Sequence, residues 1–77
     1  MSKVDYNSSY AVIDTENNTL LSSFRLADQE GLIEQRINRA KHQAKKCKDN
    51  WLLMNTSRSL EVRAVVRLPN GGFEYIN

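Results

Sequence analysis

A lone cysteine, Cys47, excludes an intramolecular disulfide framework and a thiolate metal cluster in one step. There is also only one histidine, His42, so a Ser-His-acid arrangement has a single candidate base and no His pair stands at metal-ligand spacing. The carboxylates are scattered, and no two of them are marked out for acid–base work. The three glycines include Gly71 and Gly72 after Asn70, but the longer glycine pattern and the lysine of a phosphate loop are missing, and the position before an apolar run suits a hairpin turn instead. No apolar run approaches the ~20 residues that a membrane span needs, and the first ten residues are polar, unlike a secretory signal. These absences point to a non-enzymatic chain with no cofactor, no metal and no membrane partner. A reducing cytosol is the expected compartment.

What is present begins with an amphipathic stretch, 28–48. Ile33, Ile37, Ala40, Ala44 and Cys47 follow one another at steps of four, three, four and three, which places them on one narrow apolar stripe of a helix. Asp28 stands where an N-cap acceptor would. Glu30 and Glu34 lie near the start, and Lys45, Lys46 and Lys48 lie near the finish, both in keeping with the helix dipole. Gly31 is a weak point worth ~1 kcal/mol against alanine, which allows the helix to begin properly only after it. His42 falls on the side opposite the stripe, which makes it an exposed residue rather than a base, and Cys47 on the stripe reads as a small core residue.

The rest of the chain reads as strands. Alternation over 9–14 and 19–26, joined by the turn-forming 14–18, predicts a hairpin in which Leu20, Phe24 and Leu26 share one face and Thr19, Leu21, Ser23 and Arg25 the other. The apolar stretch 51–55 reads as a third strand, led by Trp51 beneath the helix end, and 56–59 as a turn. In 60–68, Leu60, Val62, Ala64, Val66 and Leu68 point one way and Glu61, Arg63, Val65 and Arg67 the other. Pro69-Asn70-Gly71-Gly72 turns the chain into a last strand, 73–76, with Phe73 and Tyr75 on one face. The fold class is therefore α+β: an antiparallel sheet of four to five strands with one helix across one face, in the order β-β-α-β-β-β, and with the first or third strand at an edge. The 77 residues form a single domain, 1–77, with 1–7 as a loose lead-in.

Charge is segregated along the chain. Residues 1–35 hold two Lys/Arg against six Asp/Glu, a net −4, and residues 36–77 hold nine against three, a net +6. Arg36, Arg39, Lys41, Lys45, Lys46 and Lys48 fall within thirteen residues free of acid and spread over most of the non-apolar arc of the helix. A solvated face explains such a run, and so does a contact surface for phosphates or an acidic protein. Arg58, Arg63 and Arg67 add positive charge in the strand region. Arg63, Arg67 and Tyr75 share the uncovered sheet face, an aromatic among arginines of the kind that holds single-stranded RNA.

In outline, the hairpin of Tyr10–Ile13 with Thr19–Leu26, the helix Ile33–Cys47 and the closing hairpin Leu60–Ile76 resemble the small inhibitors of host machinery encoded by phages and mobile elements, such as anti-CRISPR proteins and inhibitors of host RNA polymerase. The resemblance implies a phage protein at work in the host cytoplasm: a protein-binding inhibitor or modulator of a larger host complex, including one that handles nucleic acid. No motif is shared, so no functional residue is carried over. The sites come from the charge pattern alone: Arg36, Arg39, Lys41, Lys45, Lys46 and Lys48 on the helix, with Arg63, Arg67 and Tyr75 on the sheet. The partner is an acidic protein surface or complex. The alternative is direct binding of RNA or DNA by the same residues. A homo-oligomer formed through an edge strand or the open sheet face is a third reading.

Overall fold

The computed structural model describes residues 4–54 and 59–76. Four strands and one helix follow one another as β1 (Ser8–Asp14), β2 (Thr19–Arg25), α1 (Ile33–Met54), β3 (Leu60–Arg67) and β4 (Phe73–Tyr75), with one turn of 3-10 helix, Leu26–Asp28, ahead of α1. The sheet is antiparallel throughout, in the order β2-β1-β3-β4, and α1 packs on one face of it. The expected class, α+β with one helix on an antiparallel sheet, is what the chain forms. The order is β-β-α-β-β, one strand fewer than the six-element order expected.

The missing strand is the end of the helix. Trp51–Met54 extends α1 to 22 residues, and Asn55 lies outside the described residues, as does most of the expected turn 56–59. Trp51 falls four residues after Cys47 and so continues the apolar stripe by one more helical step. A four-residue apolar run cannot declare its own period, and nothing between Lys48 and Trp51 stops a helix.

The helix starts after Gly31, the later of the two starts expected, and not at 28. Asp28 closes the 3-10 turn rather than capping α1, and Gly31 has φ 102°, in the left-handed region that a helix cannot run through. The cap lies at Leu32, whose carbonyl accepts the Arg36 N–H (3.0 Å) while its own N–H donates to Gln35 Oε1 (3.1 Å). That return bond is one half of a capping box. The sign of a substitution at Gly31 separates the two arrangements. Inside a helix, Gly31→Ala would stabilise by ~1 kcal/mol. At φ 102° it is expected to destabilise by about 1 kcal/mol instead, read as a lower midpoint in urea unfolding.

β1 occupies the centre of the sheet, between β2 and β3, and all seven of its residues are buried. The first strand is therefore not an edge, and the edges are β2 and β4. On the helix side, Tyr10 and Val12 pack with Leu26, Ala40 and Ala44, joined by Leu21, Phe24, Ile33, Ile37, Cys47, Leu60, Val62 and Ala64. Ala40 and Ala44 have no exposed surface; being short, they let the helix backbone approach the sheet. On the other side, Ala11, Ile13 and Val65 form a smaller cluster with Leu20 and Phe73.

One residue of slip in β2 divides its side chains differently from simple alternation. Val12 pairs with Ser22, but Ile13 pairs with Leu20, a bulge that leaves Leu21 over. Leu21 and Phe24 consequently join the helix-side core while Leu20 joins the far cluster. Leu20 and Phe24 do not share a face, contrary to the expectation from a plain period of two, because each extra residue inverts the parity of all that follow.

The turns follow their residue chemistry. Asn18 takes φ 51° between β1 and β2, and the buried carboxylate of Asp14 accepts the backbone N–H groups of Glu16 (3.1 Å) and Asn17 (3.4 Å). Between β3 and β4, Gly71 takes φ 91° and the Gly72 N–H donates to Asn70 Oδ1 (2.9 Å). Of the lead-in expected over 1–7, the described part carries defined contacts. Val4 packs against the helix-side core, and Asp5 accepts the Ser8 N–H on its carbonyl (3.0 Å) and the Asn7 N–H on its carboxylate (2.8 Å).

Candidate functional site

Strand alternation sends Val62 and Ala64 toward α1 and Arg63, Val65 and Arg67 away from it. The cations expected on the helix and those expected on the sheet therefore lie on opposite sides of the molecule, with the sheet between them. They do not converge on one groove.

On the sheet side the residues come together as the parity predicts. The Arg63 guanidinium lies over the Tyr75 ring, 4.4 Å from its centre, and reaches Glu61 at 3.8 Å. Tyr75 packs edge-on to Phe73, with ring centres 5.6 Å apart, and its hydroxyl donates to Asn18 Oδ1 (3.2 Å) in the β1–β2 turn. Tyr75 is thus drawn across the face. Arg67 crosses β1 to donate from Nη1 to Ser23 Oγ on β2 (3.4 Å).

The helix cations divide into two kinds. Arg36 is taken up inside the fold: Nε donates to the Gly31 carbonyl (2.7 Å), Nη1 to the Leu26 carbonyl (3.1 Å), and the guanidinium lies 4.7 Å from the centre of the Tyr6 ring. It staples the approach to the helix, and its charge is spent locally. Lys41 leans its ammonium over Tyr10 at 5.5 Å, above a ring whose hydroxyl pKa burial raises. Lys48 is half-buried. Arg39, Lys45 and Lys46 are exposed, and among the described residues none of the three has a carboxylate within ion-pair distance. Lys45 and Lys46 flank a shallow depression of about 200 Å³ with His42 and Asp49. Arg58 lies outside the described residues.

His42 is exposed on the outer side of α1, and Cys47 Sγ donates to Ser22 Oγ (3.4 Å) on β2. Among the described residues no three His, Cys, Asp or Glu side chains gather as metal ligands, and no helix is long and apolar enough to cross a membrane.

One grouping escapes the charge pattern. Arg25, at the end of β2, stands directly across from Ser9 of β1. With Asn7, Ser23, Asp28, Val66 and Arg67 they line a cleft of about 500 Å³ on the sheet side. Parity puts Ser23 and Arg25 on one face in the sequence already; what brings Arg67 beside them is the strand order, which no local signal carries. Compared with known proteins, the chain matches no family model, no curated protein and no solved structure.

Proposed function

We propose that the chain is a non-enzymatic binding module that docks the outward side of α1 on an acidic surface of a larger protein complex, in the manner of a small inhibitor or modulator acting in a host cytoplasm. One observation carries this reading. Arg39, Lys45 and Lys46 stand exposed with no carboxylate at ion-pair distance among the described residues, while Arg36 and Arg63 are engaged within the chain. Cations left free on a rigid helix focus a positive field outward and steer a negatively charged partner to that side.

Nucleic-acid binding is the second reading. The arginine-on-tyrosine stack of Arg63 and Tyr75 favours it, because a single-stranded base takes the same kind of platform. Against it stands the separation of the two cation sets by the sheet, which divides the phosphate contacts between two sides rather than gathering them in one basic groove.

The deciding experiment is capture of protein from nuclease-treated host lysate, run beside a gel shift with random RNA and DNA at low salt. The docking reading expects salt-sensitive protein capture that survives nuclease, with no gel shift. A shift that weakens steeply as salt rises would replace it with nucleic-acid binding.

A further inference from the structure

The cleft on the sheet side has a chemistry of its own, independent of the helix. Two guanidinium groups, those of Arg25 and Arg67, line it, and neither has a carboxylate within ion-pair distance among the described residues. Arg63 on the same face is different: Glu61 and the Tyr75 ring already hold it. Arg67 is exposed but bends across β1 to Ser23 at 3.4 Å, a long hydrogen bond that leaves most of its fork of donors unused. Ser9, on the floor, is only 2% exposed. Two like charges brought to one concave site repel each other, and an oxyanion seated between them would relieve that cost and accept paired N–H bonds from each.

The remaining lining narrows the ligand. Asn7, Ser9 and Ser23 offer neutral hydrogen-bonding groups, Val66 adds one apolar wall, and Asp28 sets one carboxylate in the lining. That carboxylate would reject a second anionic group and welcome a hydroxyl. No aromatic ring lines the cleft among the described residues, so nothing there stacks a base. A volume of about 500 Å³ falls in the range of small-molecule pockets and far exceeds the need of a bare ion. We propose that this cleft binds a small phosphorylated polyol, such as a sugar phosphate, with the phosphate between Arg25 and Arg67 and the hydroxyls on Asp28, Asn7 and the two serines.

The test is two-dimensional NMR titration of the full chain with ribose 5-phosphate, inorganic phosphate, ribose and a short oligouridine. The expected result is saturable shifts at Ser9, Ser23, Arg25 and Arg67 at millimolar ribose 5-phosphate, binding at least about tenfold weaker for inorganic phosphate, and none for ribose. Removing one charge-assisted partner should cost at least about tenfold in Arg25→Ala and in Arg67→Ala. Both side chains are exposed, so the fold should hold, as the amide spectrum checks directly. Asp28→Asn should narrow the gap between sugar phosphate and phosphate. Absence of shifts, equal affinity for phosphate and sugar phosphate, or affinity unchanged in both arginine variants would overturn the proposal. So would tighter binding of the oligouridine than of ribose 5-phosphate, which would make the cleft part of an RNA track.

Discussion

Ile13→Ala is expected to remove about 2–5 kcal/mol of stability, the range for truncating a large buried aliphatic side chain. A domain of this length has roughly 4–12 kcal/mol in total, so the loss would show as a large fall in the urea midpoint at nearly constant slope. The size of the effect rests on where Ile13 lies. It faces away from the helix, on a side of the sheet that no second layer covers, yet it has no exposed surface. Its cover is made of single side chains: Leu20 from the bulged strand and Phe73 from β4. If that roof is packed, alanine leaves a cavity under it. If it is loose, water fills the space and the cost falls below about 1 kcal/mol. Leu53→Ala provides the scale's other end: Leu53 is 81% exposed, and its loss should stay within about 0.5 kcal/mol.

How much of this architecture the residues announce varies with the kind of signal. The strand 60–67 alternates, and Leu60, Val62 and Ala64 fall on the helix side and Val65 on the far side as the period of two demands. The Asn70-Gly71-Gly72 turn and the left-handed Asn18 likewise follow from local backbone chemistry. The helix ends do not. At the start, Asp28 is a good cap residue in a place where Gly31 prevents the helix from reaching it. Gln35 does the capping instead, from three residues beyond Leu32. At the finish, Trp51 fits the helical stripe and a short strand equally well by composition, and the arbitration comes from packing. The bulge at Leu21 is hidden for a different reason: an inserted residue in one strand is defined only against its partner.

The candidate sites show the same division. Proximity of Arg63 to Tyr75 follows from two strands pairing across a four-residue turn, and it is legible. That Arg36 serves the fold rather than a partner is not. Its two carbonyl acceptors, Gly31 and Leu26, are five and ten residues away in the chain, and neither offers a charge to mark the pairing. The cleft between Arg25 and Arg67 depends on β1 lying between β2 and β3, a fact of sheet order that neither strand records. Charge counting along the chain finds where cations are abundant. Which of them are free is decided by local carbonyls, rings and hydroxyls that the count ignores.

Freedom of charge is what the double reversal Lys45→Glu/Lys46→Glu examines, and its expected effect on capture is the largest of any surface change. Two attractions become two repulsions toward an acidic partner. Close interfacial charge pairs couple strongly enough that a loss of about a hundredfold or more in affinity is reasonable, equivalent to roughly 2.8 kcal/mol. The fold should scarcely notice. Both side chains are exposed and without carboxylate partners at ion-pair distance. The reversal forfeits only the weak four-residue spacing of Lys45 to Asp49 and a small dipole contribution, together under about 1 kcal/mol. Capture and thermal midpoint are therefore expected to separate, and the deficit should shrink at high salt, where screening levels the two proteins. Reversal of Arg63 and Arg67, equal in net charge change but on the opposite face, is the reference. Loss confined to the helix variant places the contact on α1. Equal loss in both would mean that the partner responds to net charge rather than to a surface, and loss in the sheet variant alone would move the contact to the Tyr75 face.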